Sequence, residues 1–203
     1  LVHTVGASNL GQMLNRICLK DGIGLVNIVR KPEQETLLRD QGAAYVCNTS
    51  APTFIDDLTA ALVATGATIA FDAIGGGTLG SKILQAMERA ATLRMTKYSR
   101  YGSDKFKQLY VYGALDVAPI TLNRLTFGFE WSVSGWLLFP FLRKAGKEVE
   151  DRLRQRIVNE LTTTFASHYT RTIGLAEALD PGILRAYQRM STGEKFLIDP
   201  TRG

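Results

Sequence analysis

Gly6 and Gly11, near the start of the chain, are spaced like the outer glycines of the pattern G-x-G-x-x-G, and Ser8 stands where the middle glycine usually does. Such a segment makes a tight turn, lets the backbone approach a phosphate closely, and aims the N-terminus of the following helix at it. Serine is small enough for that approach, and its hydroxyl can bond a phosphate oxygen. The segment therefore predicts a pyrophosphate-binding turn, with a turn that binds nothing as the alternative.

Two cations, Arg30 and Lys31, follow the turn by about 20 residues, where a dinucleotide site contacts the adenosine ribose. An NAD(H) site carries Asp or Glu there, whereas no carboxylate occurs from Gly22 to Pro32. Arginine binds a phosphate through two parallel hydrogen bonds, and lysine adds a point charge. The pattern indicates NADP(H) rather than NAD(H), and it disfavours an S-adenosylmethionine site, which would also use an acid. The alternative is that both cations are only solvated at the start of a helix.

Two further segments combine an apolar strand pattern with a glycine ending, at Phe71–Gly77 and at Tyr112–Leu115. Glycine at the carboxyl edge of a parallel sheet lets a cofactor ribose pass close to the backbone. Together these segments predict the nicotinamide end of the site. Asp72 is interpreted either as a polar anchor for the ligand or as a buried residue that caps neighbouring amides.

These segments lie within an alternation of strand and helix patterns. Five apolar runs predict strands over 1–5, 24–29, 44–47, 68–74 and 109–113. The first intervening helix carries an apolar stripe with helical spacing, predicted to face the core, at Leu10, Met13, Leu14, Ile17 and Cys18. Strands that alternate with helices predict an α/β fold, a Rossmann-like doubly wound parallel sheet with helices on both faces.

The loop Ala91–Gln108 and the second half of the chain depart from this alternation. The loop is basic and aromatic and is predicted to lie near the mouth of the site, where Lys97, Tyr98, Tyr101 and Lys105 can contact substrate or a cofactor phosphate; an exposed loop without such contacts is the alternative. Residues 1–130 are predicted to form the NADP(H)-binding core, and 131–203 a helical segment that completes it. That segment begins with an aromatic cluster, Trp136–Phe141, which is interpreted as core or dimer interface. An amphipathic helix follows, marked by Val149, Leu153, Ile157 and Leu161. The segment ends with a helix over Pro181–Met190 and a strand over Lys195–Ile198.

The composition is that of a globular protein, with 45% hydrophobic and 21% charged residues among 203. We expect a cytoplasmic protein, since the longest apolar run contains a proline and falls far short of the about 20 residues of a membrane span, and no signal-peptide pattern opens the chain. The two cysteines form no CxxC motif, so neither a disulfide framework nor a Cys-rich zinc site is supported. The net charge of +5 is spread along the chain, and nucleic acid is not expected as the main partner. His3 and His168 have no partner motif, so the catalytic residues stay unknown.

The ordered set "VHTVGASNLGQ", "NIVRKPEQ", "FDAIGGG", "YVYGALD" and "TGEKFLIDP" resembles the cofactor half of the medium-chain dehydrogenase/reductase superfamily, in its zinc-independent branch of quinone oxidoreductases and enoyl-thioester reductases. Three groups of contacts are implied: pyrophosphate at Gly6, Ser8, Asn9, Leu10 and Gly11; 2′-phosphate at Arg30 and Lys31; nicotinamide ribose at Gly75, Tyr112 and Gly113. The resemblance further implies a homodimer that pairs edge strands, and no metal site in this chain. Family members place a GroES-like catalytic domain before the cofactor domain, so we expect that domain to be missing from this sequence.

On this resemblance, the intact enzyme is expected to transfer hydride from NADPH to a small-molecule substrate, a quinone or an activated enone. The chain by itself is expected to bind NADP(H) but to turn over poorly, because half of the substrate pocket would be lacking. Two alternatives remain open. One is a non-catalytic binding module, either an NADPH-responsive partner or a nucleic-acid protein, and the other is a Rossmann scaffold that binds no nucleotide.

Overall fold

The computed structural model of the chain describes residues 1–167, 169–188 and 195–202. A six-stranded sheet in the order β3-β2-β1-β4-β5-β6 organises it, and all five neighbouring pairs of strands are parallel. The strands are β1 (Val2–His3), β2 (Val26–Val29), β3 (Tyr45–Asn48), β4 (Ile69–Asp72), β5 (Lys107–Val111) and β6 (Trp131–Gly135). The strand order reverses direction between β1 and β4, as in a doubly wound sheet. The predicted α/β fold is confirmed.

Helices cover both faces of this sheet. The connections contain α1 (Asn9–Lys20), α2 (Pro32–Asp40), α3 (Phe54–Thr65) and α4 (Leu79–Thr92). Helices α3 and α4 contribute to the larger buried cluster, with Ile28 and Leu109 from the strands. Helix α2 contributes Leu38 to a second cluster with Val29 from β2. Since successive side chains of a strand point to opposite faces, Ile28 and Val29 place the two clusters on opposite sides of the sheet.

Helix α1 is rotated relative to the stripe that the sequence predicts. Its buried residues are Gly11, Asn15 and Cys18, whereas Leu10 is 55% exposed. A Cβ atom on Gly11 would lie 2.2 Å from the carbonyl oxygen of Gly6, so this face of the helix rests directly on the preceding turn. That contact sets the rotation of α1 and turns Leu10 outward. The prediction that Leu10 faces the core is therefore wrong.

The loop after α4 lies at the other edge of the sheet from the one predicted. Helix α4 ends at Thr92 and β5 begins at Lys107, so the connecting residues join the end of a helix to the start of a strand. In a parallel sheet this connection lies at the amino-terminal edge, whereas the glycine endings of the strands lie at the carboxyl edge. The prediction that Ala91–Gln108 borders the mouth of the site is wrong.

Beyond β5 the structure adds an edge strand that the sequence does not predict. Strand β6 is followed by α5 (Leu138–Ala145) and α6 (Lys147–Asn159). The aromatic cluster Trp136–Phe141 is not part of the core, because Phe139 is 67% exposed and Phe141 is an exposed residue as well. Of the two interpretations of this cluster, the interface remains as a proposal.

The chain divides into two compact units, Leu1–Arg156 and Ile157–Gly203. In the second unit β7 (Arg171–Ile173) pairs in parallel with β8 (Phe196–Ile198), and α7 (Leu175–Ala178) and α8 (Pro181–Gln188) lie between them in sequence. The division into residues 1–130 and 131–203 by role stays a prediction. His168 and the predicted end of the final helix at Met190 lie outside the described residues. No helix in the described part of the chain is long and apolar enough to cross a membrane.

Candidate functional site

The turn between β1 and α1 is tight, and its geometry depends on small residues. Val5 adopts a positive φ of 55°, which non-glycine residues rarely do. The amide of Gly6 donates to the carbonyl of Ile28 at 2.9 Å, and a Cβ atom on Gly6 would lie 2.9 Å from the side chain of Asn27. A Cβ on Gly11 would approach the Gly6 carbonyl even more closely. The two outer glycines of the pattern are thus required where the turn packs against β2 and against itself.

Ser8 occupies the N-cap of α1. Its Oγ accepts a hydrogen bond from the amide of Gly11 at 3.0 Å, and its backbone is extended, with φ −63° and ψ 163°. This contact uses the hydroxyl as an acceptor and leaves its proton able to donate. Asn9 and Leu10 form the exposed first turn of the helix, where backbone amides have no acceptor within the helix. A helix N-terminus with such amides attracts negative charge.

Arg30 and Lys31 lie at the carboxyl end of β2, directly beside this turn, since β1 and β2 are neighbours in the sheet. Both are exposed. The carbonyl of Arg30 accepts a hydrogen bond from Ser50 Oγ at 2.8 Å, and its amide donates to Gln34 Oε1 at 3.1 Å. Lys31 is the N-cap residue of α2, and Pro32 provides the first helical position. The backbone that carries the two cations is therefore fixed, while their side chains face solvent.

The carboxyl ends of β4 and β5 meet through their glycines. Gly75 has φ 82°, and a Cβ atom there would lie 2.5 Å from the carbonyl oxygen of Gly113. A Cβ on Gly113 would lie 2.4 Å from the carbonyl oxygen of Ala73. The structure thus brings Gly75 and Gly113 together, as the sequence predicts for neighbouring strand endings. Neither position can hold a side chain without moving backbone.

Asp72 organises the turn that follows β4. Its Oδ1 accepts hydrogen bonds from Thr4 Oγ1 at 2.8 Å and from the amide of Ile74 at 2.9 Å, and its Oδ2 accepts from the amide of Gly75 at 3.2 Å. Asp72 is 2% exposed. Of the two interpretations of this residue, the structure supports the buried cap. Thr4 also belongs to this network, although no sequence pattern indicates it.

A second unpredicted contact joins His3 of β1 to Tyr112, which directly follows β5. The Nε2 atom of His3 lies 2.6 Å from the hydroxyl of Tyr112, and the two rings are stacked with centroids 5.9 Å apart. Burial lowers the pKa of His3 to about 4, although the negative charge of Asp72 acts in the opposite direction. Burial also raises the pKa of Tyr112 to about 12, and the charge of Asp72 adds to that shift. Both groups are therefore neutral at pH 7.

The predicted site residues collect along one edge of the sheet. The glycine turn follows β1, the two cations follow β2, and the glycine endings follow β4 and β5. In the sheet these four strands are consecutive neighbours, in the order β2-β1-β4-β5. The turn also lies at the point where the strand order reverses between β1 and β4. In open α/β sheets, ligands bind outside the carboxyl ends of the strands at such a reversal. The predicted site residues therefore lie where sheets of this kind bind ligands.

The polar residues of the loop after α4 do not join this edge. Lys97, Tyr98 and Lys105 line a separate cavity of about 530 Å³ at the amino-terminal side of β4 and β5. Tyr101 is 61% exposed and stacks edge-on against Phe129. Within the described residues, no group of three or more His, Cys, Asp or Glu side chains is placed to hold a metal ion.

No protein-family model and no curated protein matches the chain. Solved structures do match it along most of its length. A protein assigned to the NADPH:quinone reductases, from Mesorhizobium loti, is 27% identical with a TM-score of 0.70, and the match covers 98% of this chain and 52% of that one. A second, from Bacillus thuringiensis, is 16% identical with a TM-score of 0.67, covering 96% and 54%. The mitochondrial 2-enoyl thioester reductase Etr1p/Etr2p heterodimer from Candida tropicalis is 16% identical with a TM-score of 0.61, covering 93% and 49%.

The chain thus spans about half the length of the proteins it matches. The Mesorhizobium loti protein adds a sequence identity of 27% to the likeness in fold. The chain has the fold of the cofactor-binding half of the medium-chain dehydrogenase/reductase superfamily, and its resemblance to the quinone and enoyl reductases of that superfamily is confirmed.

Proposed function

We propose that this chain binds NADP(H) as the cofactor-binding portion of a reductase. The observation that carries the proposal is the turn at the reversal point of the sheet, where Gly6, Ser8 and Gly11 build a helix N-terminus open to an anion. The amides of Asn9 and Leu10 and the hydroxyl of Ser8 are the donors that would hold the pyrophosphate. The likeness to NADPH:quinone reductases supports the same ligand class.

The preference for NADP(H) over NAD(H) would come from Arg30 and Lys31. Their exposed side chains start from a backbone held by Ser50 and Gln34, next to the pyrophosphate turn. A 2′-phosphate carries charge that two cations can pair with, whereas a bare 2′-hydroxyl leaves them without an anionic partner. The first carboxylate after them is Glu33, which is exposed in the first turn of α2. No acid therefore stands at the position that an NAD(H) site uses.

Gly75, Tyr112 and Gly113 would line the nicotinamide ribose. The glycines leave the carboxyl ends of β4 and β5 free of side chains, so that a ribose can lie against backbone. Asp72 and Thr4 fix this backbone, because they accept hydrogen bonds from its amides and bond each other. The task of this chain is accordingly to bind and orient the dinucleotide.

NADPH, when bound, supplies the hydride. The activity that we propose for the intact enzyme is hydride transfer to a quinone or an activated enone, without zinc. Two comparisons support these substrate classes, since one matching protein is assigned to the NADPH:quinone reductases and Etr1p has been solved with NADP and crotonyl-CoA. Because the chain spans about half of those proteins, we expect it to turn over poorly when it is isolated.

We also propose a homodimer that pairs the β6 edges of two copies. Strand β6 is one of the two outer strands of the sheet, and exposed Leu137 and Phe139 follow it. Exposed apolar side chains next to an open strand edge favour such pairing. The mass in analytical ultracentrifugation tests it, and a monomer at micromolar concentration would contradict it. The nucleic-acid alternative gains no support, because basic residues of α6 such as Lys147, Arg154 and Arg156 form ion pairs with acids.

Titration with NADPH and with NADH, followed by nicotinamide fluorescence or calorimetry, tests the proposed cofactor site. We expect tighter binding of NADPH, and Arg30→Ala should weaken it about 10- to 100-fold, the range for charge-assisted hydrogen bonds, while NADH binding changes little. The control is Arg100→Ala, which removes another exposed arginine, in the loop after α4 at the amino-terminal edge of the sheet. The proposal fails if neither dinucleotide binds, and the role of Arg30 fails if both variants behave alike.

A further inference from the structure

His3 is a buried polar residue, and the packing of the sheet does not explain why a polar side chain stands at this position. The side chain is 1% exposed, and among the described residues Nδ1 has no hydrogen-bond partner. A buried polar atom without a partner costs stability, so a leucine of similar size would serve the sheet better. Within the described part of the chain, the imidazole makes its hydrogen bond between Nε2 and the hydroxyl of Tyr112. The contact with Tyr112 is therefore the feature of this residue that calls for a functional explanation.

The ring of Tyr112 is held in one orientation at the carboxyl edge. His3 stacks against it at an interplanar angle of 14°, and Phe71 meets it edge-on with centroids 6.5 Å apart. Tyr112 is only half-buried and directly precedes Gly113, one of the two glycines that meet at the ends of β4 and β5. Its hydroxyl is bonded on one side to a buried group, and it can make a further hydrogen bond on the other.

We propose that His3 is a positioning residue, which fixes the hydroxyl of Tyr112 so that Tyr112 bonds a hydroxyl group of the bound dinucleotide. His3 cannot touch the ligand itself, because it is 1% exposed. It acts through Tyr112, which lies 109 positions further along the chain and 2.6 Å away. This inference rests on the proposed binding of NADP(H) and assigns a residue to it that the turn motif does not include.

The chemistry of the pair favours a hydrogen bond over proton transfer. Burial raises the pKa of Tyr112 and lowers that of His3, so both stay neutral across the physiological range and neither acts as an acid or base. If Nε2 is unprotonated it accepts from the phenol, and if it is protonated it donates to the phenol oxygen. A ribose hydroxyl can accept or donate, so it complements Tyr112 in either case. The pair therefore suits a sugar hydroxyl.

The test is a double-mutant cycle on NADPH affinity, with His3→Leu, Tyr112→Phe and the double variant, read by the fluorescence of bound NADPH. We expect each single variant to weaken binding about 3- to 10-fold, as for one neutral hydrogen bond. The double variant should be no weaker than Tyr112→Phe within a factor of two. His3→Gln is the matched control, because the glutamine amide can reach the position of Nε2, and it should retain wild-type affinity. The emission spectrum of bound NADPH should change in His3→Leu and return to the wild-type form in His3→Gln.

Several results would overturn the proposal. If His3→Leu binds NADPH like the wild type, His3 has no role in binding. If His3→Leu weakens binding by the same factor in the Tyr112→Phe background as in the wild type, His3 acts through the fold and not through Tyr112. If His3→Leu does not fold, the other two variants decide. The proposal is refuted if Tyr112→Phe binds NADPH with undiminished affinity, or if His3→Gln binds as weakly as Tyr112→Phe. If the wild-type chain binds no NADPH, the proposed cofactor function itself is refuted, which is a separate outcome from unaltered binding in the variants.

Discussion

A buried ion pair between Lys107 and Glu88 connects strand β5 to helix α4. Lys107 Nζ lies 2.5 Å from Glu88 Oε2, and the two side chains are 0% and 8% exposed. Nζ also donates to Ser103 Oγ and to the carbonyl of Lys105, while Glu88 accepts from the amide and the hydroxyl of Ser103. The first residue of β5 is thereby joined to α4 and to the end of the loop between them.

Lys107→Met removes the ammonium group and keeps most of the apolar stem, so that the carboxylate of Glu88 stays buried without its cation. Breaking a buried pair in this way costs about 3–5 kcal/mol. For a chain whose free energy of unfolding falls by about 2 kcal/mol per molar urea, the unfolding midpoint should drop by about 1.5–2.5 M. The midpoint is measured by circular dichroism during urea unfolding.

The chain contains a matched control for this experiment. Lys147 Nζ lies at the same distance of 2.5 Å from Asp151 Oδ1, but these side chains are 75% and 56% exposed. Solvent screens this pair, and holding two mobile side chains together offsets most of the attraction. Lys147→Met should leave the urea midpoint unchanged within the error of measurement. Equal effects of the two substitutions would refute the reasoning that burial, rather than distance, decides the contribution.

The pH dependence supplies a second check on the same pair. Burial alone would raise the pKa of Glu88, but the hydrogen bonds from Lys107 and Ser103 outweigh it, and the pKa is lowered. A carboxyl with a lowered folded-state pKa stabilises the protein above its unfolded value of about 4.3, and this contribution is lost as the pH falls through the folded value. In Lys107→Met, protonation instead relieves the buried charge. Since burial without the cation raises the pKa of Glu88 in the variant, the difference between variant and wild type should begin to shrink above about pH 4.3 and continue to shrink below it. A constant difference would contradict the assignment.

Two further predictions concern the opening turn and the buried histidine. Gly11→Ala should destabilise the chain by about 1–3 kcal/mol and weaken NADPH binding, because its Cβ would lie 2.2 Å from the Gly6 carbonyl. Gly135→Ala, whose Cβ would have no atom of the described residues within 4 Å, should be neutral in urea unfolding. Similar behaviour of the two variants would refute the role of the close approach. Burial lowers the pKa of His3 to about 4, so between about pH 6.5 and 4 the unfolded chain binds a proton that the folded chain does not. The free energy of unfolding should therefore fall by up to about 3 kcal/mol as the pH drops through this window. His3→Leu should remove that part of the slope in urea unfolding at several pH values, and an unchanged slope would contradict it.

Much of the fold and part of the candidate site could be predicted, because their signals are local. The spacing of Gly6 and Gly11 and the proline that begins α2 are determined by backbone geometry within a few residues. Alternation of strands and helices then brings the strand endings to one edge, so that Gly75 and Gly113 could be expected to meet. Strand β6 could not be predicted, because the segment Trp131–Gly135 is half-exposed and contains serines. The segment therefore lacks the apolar run that marks the inner strands.

By itself, the sequence determined the parallel sheet, the glycine turn at its carboxyl edge and the two cations beside that turn, because propensity, hydrophobic periodicity and turn chemistry act over short distances along the chain. Only the tertiary structure decided the partners of buried polar groups: His3 with Tyr112, Thr4 with Asp72, and Lys107 with Glu88. It also decided the rotation of α1 and the edge to which the loop after α4 belongs. These features depend on residues far apart in sequence, or on which edge of a sheet a connection reaches, and both follow from the packing of the whole domain.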